Sequence, residues 1–310
     1  MDKHIPVLLN ESISLLNIRD GSVYVDLTLG RAGHSREILK RIPHGRLVAF
    51  DQDETAIRES RPRLEEIGDN FTLIKANFAE MKERLEEIGI TKVDGILADL
   101  GVSSPQLDEG SRGFSYNLEA PLDMRMDLSS PLTARKVVNT YSLNDLIRIL
   151  RDYGEEKDAY KIAKTIVSRR ANKPLETTID LVEAVKASKS AKELSKKGHP
   201  AKQTFQAIRM EVNQETKTLE RMLEVAPTLL APKGRLAIIT FMSLDDRMVK
   251  RRFAELTKIE GDRHGIDIYS MKNLEAPFLA ITKKPVVPSE EELERNHRAK
   301  SSKLRVIEAK

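Results

Sequence analysis

Val23-Tyr-Val-Asp-Leu-Thr-Leu-Gly-Arg-Ala-Gly33 is the stretch that decides the fold. Its first seven residues are apolar and β-branched enough to predict a buried parallel strand. Gly30 and Gly33 come next, and Ser35 begins a helical run. Strand, glycine turn and helix N-terminus form the opening of a nucleotide-binding α/β unit, whose ligand lies outside the carboxyl end of the strand.

Two carboxylates frame this turn. A second predicted strand, Arg46–Phe50, ends in Asp51, about 20 residues beyond the first glycine, where such folds place the carboxylate that binds a ribose. Asp26 stands at the end of the first strand, just before Gly30. It would repel the pyrophosphate of a dinucleotide. It would favour S-adenosylmethionine, which has no phosphate and carries an ammonium and a sulfonium. The alternative is that Asp26 caps a local turn.

Composition narrows the class of protein. With 310 residues, the chain is one large domain or two ordinary ones. A net charge of +4 is too small to indicate nucleic-acid binding by itself. The absence of cysteine excludes disulfides, thiolate metal ligands and a cysteine nucleophile, and no metal site is predicted. The N-terminus lacks a signal-peptide core and no apolar run reaches spanning length, so we expect a soluble, cytoplasmic protein without membrane contact.

Helices and strands continue to alternate after the second strand. Predicted strands at Phe71–Lys75 and Val93–Leu100, each preceded by a helix, indicate an α/β protein with a mostly parallel, doubly wound sheet. Asp99 lies at the end of the fourth strand and is expected in the same crevice as the glycine turn. Phe78 follows the third strand, where it would either stack on an adenine or pack into the core.

The pattern changes in the middle of the chain. Residues 106–130 form a long loop, which in a compact protein is typically functional or disordered, and its aromatic and apolar residues favour the functional reading. Only helices are predicted from there to residue 212. Because the α/β pattern then resumes, we interpret 105–212 as an inserted helical domain. Residues 1–104 and 213–310 form the discontinuous α/β domain.

Three local features complete the prediction. Ser142 is the expected N-cap of a helix, with Asp145 at the capping-box position. A polar stripe of Gln206, Arg209 and Asn213 would face a partner, a second domain or RNA. Near the C-terminus, residues 266–269 and 277–281 suggest a β-hairpin.

Several sequence runs, in one order, resemble a known family. They are H-I-P-V-L-L, D-L-T-L-G-R-A-G-H-S, D-G-I-L-A-D-L-G-V-S-S-P-Q-L-D, R-G-F-S-Y and P-L-D-M-R-M-D. Over nearly its whole length the chain resembles the bacterial small-subunit ribosomal RNA cytosine-N4 methyltransferases of the RsmH (MraW) type. The resemblance implies a class I, Rossmann-like methyltransferase fold whose helical insert recognises the substrate. It also implies that S-adenosylmethionine methylates a cytidine in the decoding region of 16S RNA in the small ribosomal subunit, and it is compatible with a homodimer.

The resemblance also assigns residues. By similarity the cofactor contacts are Ala32, Gly33, His34, Asp51, Phe78, Asp99 and Gln106, to which the reasoning above adds Asp26 and Gly30. Candidates for RNA binding are Arg112, Arg125, Arg209, Lys303, Arg305 and the run from Lys186 to Lys202, for which a solvated surface is the alternative.

The expected chemistry is an in-line displacement on the methyl group, which mainly requires positioning. A cytosine amine is a poor nucleophile, so an acceptor for its N–H would help. Asp99, or the backbone carbonyls of residues 100–104, are the candidates. The family has glycine where Ala32 stands, and histidine where Met242 stands. These departures leave open an RNA-binding assembly factor with weak or lost catalysis. A second alternative is a nicotinamide oxidoreductase, but Asp26 and the missing third glycine argue against it.

Overall fold

The computed structural model describes residues 5–101, 110–258 and 275–310. The chain divides into two compact units, Met1–Gly101 with Lys217–Lys310, and Val102–Thr216. The first is an α/β unit and the second is helical. No helix within the described ranges is both long and apolar enough to cross a membrane.

Strands of the α/β unit form one sheet. They are β1 (Val23–Asp26), β2 (Arg46–Asp51), β3 (Phe71–Lys75), β4 (Val93–Asp99), β5 (Leu230–Thr240), β6 (Phe278–Ala280) and β7 (Lys303–Ala309). The spatial order is β3-β2-β1-β4-β5-β7-β6. The first five strands are parallel to their neighbours, whereas β7 runs antiparallel to both β5 and β6. This mostly parallel sheet confirms the predicted class I methyltransferase fold.

Helices flank the sheet and make up the second unit. They are α1 (Leu9–Leu16), α2 (Gly33–Leu39), α3 (Glu54–Glu65), α4 (Met81–Glu87), α5 (Ala134–Thr140), α6 (Leu143–Asp152), α7 (Ala159–Asn172), α8 (Thr178–Ser188), α9 (Ala191–Leu194), α10 (Lys202–Val212), α11 (Glu215–Leu229), α12 (Ser243–Leu256) and α13 (Glu290–Arg295). Short 3₁₀ turns lie at Phe78–Glu80, Gly110–Arg112 and His297–Ser301.

Both faces of the sheet are buried. Successive residues of a strand point to opposite faces. Val25 and Phe50 belong to one apolar cluster, which contains residues of α4, α11 and α12. Tyr24 and Leu47 belong to the other, which contains residues of α1, α2 and α3. Because both faces of the sheet are covered, most residues of the strands are apolar.

Two strand boundaries differ from the prediction. β1 ends at Asp26 instead of Leu29, because the chain turns there, although Leu29 N still donates to Phe50 O over 2.9 Å. The sequence favours a turn at residues 232–234 and a strand over 235–240, whereas β5 begins at Leu230 and includes both. Its register with β4 shifts at that point, and Lys233 adopts a φ of +64°. The expected turn is therefore present as an irregularity within β5.

Strand β7 was not predicted. It inserts between β5 and β6, so residues 278–280 pair with the C-terminal strand. The first arm of the predicted hairpin, residues 266–269, lies outside the described residues. The strand was not predicted because the basic side chains of Lys303 and Arg305 interrupt the apolar pattern on which strand prediction depends.

Asp246 accounts for that buried charge. Arg305, which is only 9% exposed, donates from Nε to Asp246 Oδ1 over 2.8 Å, and Lys303 Nζ lies 3.1 Å from Asp246 Oδ2. Burial by itself raises the pKa of Asp246, but the hydrogen bonds from Arg305 and Lys303 bring it below its ordinary value. Arg305 and Lys303 thus both hydrogen-bond within the fold, to α12, and their contact with RNA stays a prediction.

The helical unit has its own apolar core, contributed by α5, α6, α7, α8 and α10. Ser142 is the N-cap of α6, as predicted, and its Oγ accepts from Asp145 N over 3.1 Å. The polar stripe on α10 is turned inward, contrary to the prediction. Gln206 donates to Tyr153 O, Arg209 pairs with Glu215 over 2.8 Å, and Asn213 hydrogen-bonds to the backbone of residues 124 and 126.

Two arginines in the 110–130 loop also form hydrogen bonds within the loop itself. Arg112 is 8% exposed and donates to the carbonyls of Arg125 and Met126. Arg125 forms two 2.8 Å hydrogen bonds to the carboxylate of Asp123 and donates to two further carbonyls of the loop. A guanidinium offers five donors, so these side chains can satisfy loop carbonyls that lack partners in a helix or sheet. Arg112 and Arg125 therefore stabilise the loop, and their contact with RNA stays a prediction.

Replacing Asp246 with alanine would leave the guanidinium of Arg305 buried without its carboxylate. We expect the free energy of unfolding to fall by about 3 kcal/mol, measured by denaturant titration. The matched control is Glu291→Ala, which breaks an exposed pair with Arg295 and should cost less than about 1 kcal/mol. Equal losses in the two variants would contradict this account of β7.

Candidate active site

Asp26 organises the glycine turn. Its side chain is almost fully buried, with the residue 1% exposed. Oδ1 accepts from Thr28 N over 3.0 Å, and Oδ2 accepts from Ser35 Oγ over 2.6 Å. One carboxylate therefore ties the end of β1 to the first turn of α2. These are the hydrogen bonds that the turn-capping alternative expects, and a role of Asp26 toward a ligand stays a prediction.

Asp51 ties the end of β2 to the same turn. Its Oδ2 accepts from Gly30 N and its Oδ1 from Asp53 N, both over 2.9 Å. Burial raises the pKa of Asp51 to about 6, although these two backbone hydrogen bonds act in the opposite direction. Each carboxylate oxygen keeps a second lone pair, which a hydroxyl group of a ligand could use.

Positive φ angles shape the turn itself. Gly30 has a φ of +49° and Ala32 has a φ of +62°. An alanine in the left-handed region costs roughly 1–2 kcal/mol. The methyl group of Ala32 is nonetheless fully buried in the apolar cluster that contains α1 and α2. Where the family has glycine, this chain therefore has a methyl group that packs in the apolar core.

Gly33 is needed for close packing. A Cβ on Gly33 would lie 2.1 Å from Cγ of Pro6, far inside contact distance. The N-terminal segment therefore packs directly on the start of α2. No local sequence pattern predicted this contact, because Pro6 and Gly33 belong to different elements.

His34 connects the N-terminal segment to the carboxyl end of β4. Its ring is buried, with Nε2 3.1 Å from Val7 O and Nδ1 3.9 Å from Asp99 Oδ2. Burial lowers the pKa of His34, against the opposing effects of the Asp26 charge and the Val7 carbonyl. The imidazole is therefore neutral at physiological pH.

The pKa of Asp99 lies far above the ordinary value of an aspartate. Its backbone N donates to Thr28 Oγ1 over 2.7 Å, but its own Oδ1 is buried without a hydrogen-bond partner among the described residues. Burial raises the pKa of Asp99 to about 8, and the negative charge of Asp26 adds to the effect. A carboxyl group that titrates near neutral pH and has an unused oxygen is suited to proton transfer.

The remaining predicted residues lie around this cluster. Phe78 is half-buried at the start of its 3₁₀ turn and packs against the apolar core, as the alternative to stacking expected. Gln106 and residues 102–104 lie outside the described residues. Met242 is the half-buried N-cap residue of α12 and receives a hydrogen bond from Asp246 N at its carbonyl.

The site brings together three carboxyl groups, Asp26, Asp51 and Asp99, at the carboxyl ends of β1, β2 and β4. Such a cluster attracts a cation and repels phosphate. Within the described ranges, no three acidic or histidine side chains are arranged to hold a metal ion. Thr28 and Ser35 were missed by the sequence analysis. Both are hydroxyl residues close to Asp26 in sequence, a pattern that could have indicated a capped turn.

Asp99→Asn should alter stability in a pH-dependent way. Between about pH 4, where an unfolded aspartate ionises, and pH 8, the folded protein keeps the proton that the unfolded chain loses. Stability due to Asp99 therefore falls as pH rises. Asparagine does not titrate, so relative to the wild type we expect the variant to gain about 4 kcal/mol between pH 4.5 and 8.5.

Denaturant titrations at the two pH values measure this gain. The control is Asp123→Asn, because hydrogen bonds from Arg125 outweigh burial and lower the pKa of Asp123. Its effect should be the same at both pH values. A gain for Asp99→Asn no larger than for the control would show that Asp99 is ionised throughout.

Comparison with known proteins agrees with this geometry. The family model described as the MraW methylase family matches residues 1–310. A protein of Finegoldia magna named ribosomal RNA small subunit methyltransferase H is 52% identical over 99% of this chain and 98% of its own. A protein of the same name from Exiguobacterium sibiricum is 51% identical over the same shares of the two chains. On this full-length agreement, the chain belongs to the MraW methylase family.

Proposed function

We propose that this protein transfers a methyl group from S-adenosylmethionine to the exocyclic N4 amine of a cytidine in small-subunit ribosomal RNA. The family and the names of both relatives support the reaction and the class of RNA. The observation that carries the proposal is Asp99, a carboxyl group beside the glycine turn whose Oδ1 has no hydrogen-bond partner among the described residues.

The residues of the site fit the cofactor. S-adenosylmethionine supplies a methyl group on a positively charged sulfur, which leaves with the electron pair of the broken bond. The charges of Asp26, Asp51 and Asp99 suit its sulfonium and ammonium, and Asp51 stands where such folds bind a ribose. Asp26 and Asp51 also hold Gly30 and the start of α2 in place, so the turn is formed before any ligand binds.

Asp99 would act on the substrate amine. As the amine nitrogen forms its bond to the methyl carbon, it becomes positively charged and must lose a proton. The ionised carboxyl group of Asp99 would accept the N–H hydrogen bond and then the proton. A cationic ligand beside Asp99 favours the ionised form, so bound cofactor would prepare the acceptor.

The two departures from the family pattern do not require lost catalysis. The methyl group of Ala32 is buried in the core, and Met242 serves as a backbone N-cap. The RNA-binding assembly factor without catalysis is therefore not favoured.

Lysines on the helical unit are the better candidates for contact with RNA. Lys192, Lys196, Lys197 and Lys202 are all exposed. In the part of the chain that the structure describes, none of these four ammonium groups is in an ion pair, whereas Lys186 pairs with Glu183 and Lys189 with Glu156. Beside them, the rings of His199 and Tyr116 stack with centroids 4.3 Å apart. Exposed cations without an acidic partner among the described residues suit the phosphates of RNA.

The proposed partner is the small ribosomal subunit, which places the enzyme in the cytoplasm. A homodimer remains part of the proposal and can be tested by sedimentation of the purified protein.

Labelled methyl transfer to small subunits that lack the modification tests the reaction. We expect N4-methylcytidine as the product. Asp99→Asn should lower the single-turnover rate by about 100-fold or more, since asparagine can accept a hydrogen bond but cannot take the proton. Cofactor affinity, measured separately, distinguishes this from lost binding. Full turnover with unchanged affinity would exclude Asp99 as the acceptor, and another nucleoside product would exclude the proposed target.

A fourfold variant, with Lys192, Lys196, Lys197 and Lys202 changed to alanine, tests the RNA surface. Each lost phosphate contact should reduce the slope of log affinity against log salt concentration by about 0.7 for single-stranded RNA. The control removes the same charge from the α/β unit at four exposed lysines, Lys233, Lys250, Lys283 and Lys284. Identical slopes for the two variants would exclude this surface.

A further inference from the structure

The contacts of His34 define its tautomer. A backbone carbonyl can only accept a hydrogen bond, so the Nε2 that lies 3.1 Å from Val7 O must carry the hydrogen. Since burial keeps the ring neutral, Nδ1 has no hydrogen and presents a lone pair. This Nδ1 lies 3.9 Å from Asp99 Oδ2.

Asp99 has little to offset a negative charge. From β1 it faces Asp26, which is itself an acid, and from α2 it faces the bare Nδ1 of His34. Asp51, at the end of β2, adds a third carboxyl group that interacts with Asp26. Across from Asp99 on β5, the residues from Ile239 to Phe241 are uncharged. Among the described residues no lysine or arginine pairs with Asp99.

We propose that His34 is a positioning residue for Asp99: its bare Nδ1 keeps a proton on the Asp99 carboxyl group in the ligand-free protein, and the sulfonium of the cofactor displaces that proton on binding. This rests on the proposed function for the identity of the ligand. A lone pair repels a carboxylate and attracts a carboxylic O–H, so the neutral acid is favoured until another positive charge arrives. The balance is simple, because the acid loses one proton to solvent and the carboxylate then faces the sulfonium.

The orientation of His34 is set by distant parts of the chain. Leu8 N donates to Glu292 Oε1 over 2.7 Å, and Asn296 Nδ2 donates to Ile5 O over 3.1 Å. With Pro6 packed on Gly33, these contacts fix the segment that carries the Val7 carbonyl. The C-terminal segment around α13 therefore holds the residues on both sides of Val7, whose carbonyl contacts His34 Nε2.

Calorimetry in buffers of different ionisation enthalpy measures the proton released per ligand bound. At pH 7 we expect about one proton per S-adenosylmethionine. S-adenosylhomocysteine differs by lacking the methyl group and the sulfonium charge, so it should release less than about half as much. Binding of S-adenosylmethionine without proton release, or equal release by both ligands, would overturn the inference. Failure to bind S-adenosylmethionine at all would instead overturn the proposed function.

Variants identify the groups. Asp99→Asn should abolish the release. His34→Gln keeps an N–H donor for Val7 O but has no acceptor at the Nδ1 position. Proton release on binding falls to half of its maximum near the pKa of Asp99 in the ligand-free protein, so this midpoint pH should decrease by about one unit. Glu292→Gln still accepts from Leu8 N and should leave that pH unchanged. Release that persists in Asp99→Asn, or an unchanged midpoint in His34→Gln, would overturn the assignment. The comparison of the two ligands on the wild type stays decisive if a variant does not fold.

Discussion

The buried carboxylate of Asp26 is the constraint on which the site depends. A negative charge at the end of a buried strand is costly unless hydrogen bonds satisfy it. Thr28 and Ser35 provide those bonds from both sides of the glycine turn. The chain must therefore leave β1, turn at Gly30 and begin α2 within a few residues. Everything else in the site is placed relative to that turn.

Satisfying Asp26 in this way has a consequence for its neighbours. Its charge remains in the crevice, and the pKa values of Asp51 and Asp99 both respond to it, after the larger effect of burial. Asp51 has backbone N–H groups to compensate, but the Oδ1 of Asp99 has no partner among the described residues. The pKa values of Asp51 and Asp99 are raised, so ionisation of either acid destabilises the folded protein.

The helical unit shows how position decides the role of a charge. Arg112, Arg125 and Arg209 look in sequence like the lysines of the 186–202 run, yet their guanidinium groups are used to satisfy loop carbonyls and carboxylates. Lys192 and Lys197 extend from a short helix and the loop after it, where no acid within the described residues pairs with them. Sequence composition could not separate these two groups, because both are basic residues in polar surroundings.

The sequence by itself determined the α/β order, the glycine turn, the ends of β2, β3 and β4 to within a residue, and the N-cap at Ser142. These features follow from periodicity and from residues that are close in sequence. Only the tertiary structure decided that β7 lies between β5 and β6, that Gly33 is required by Pro6, and that His34 faces Asp99. Each of these depends on segments far apart in the chain, such as those of Leu8 and Glu292, whose contact no local pattern encodes. For the same reason, the fold was predictable from the sequence, whereas the protonation of the site was not.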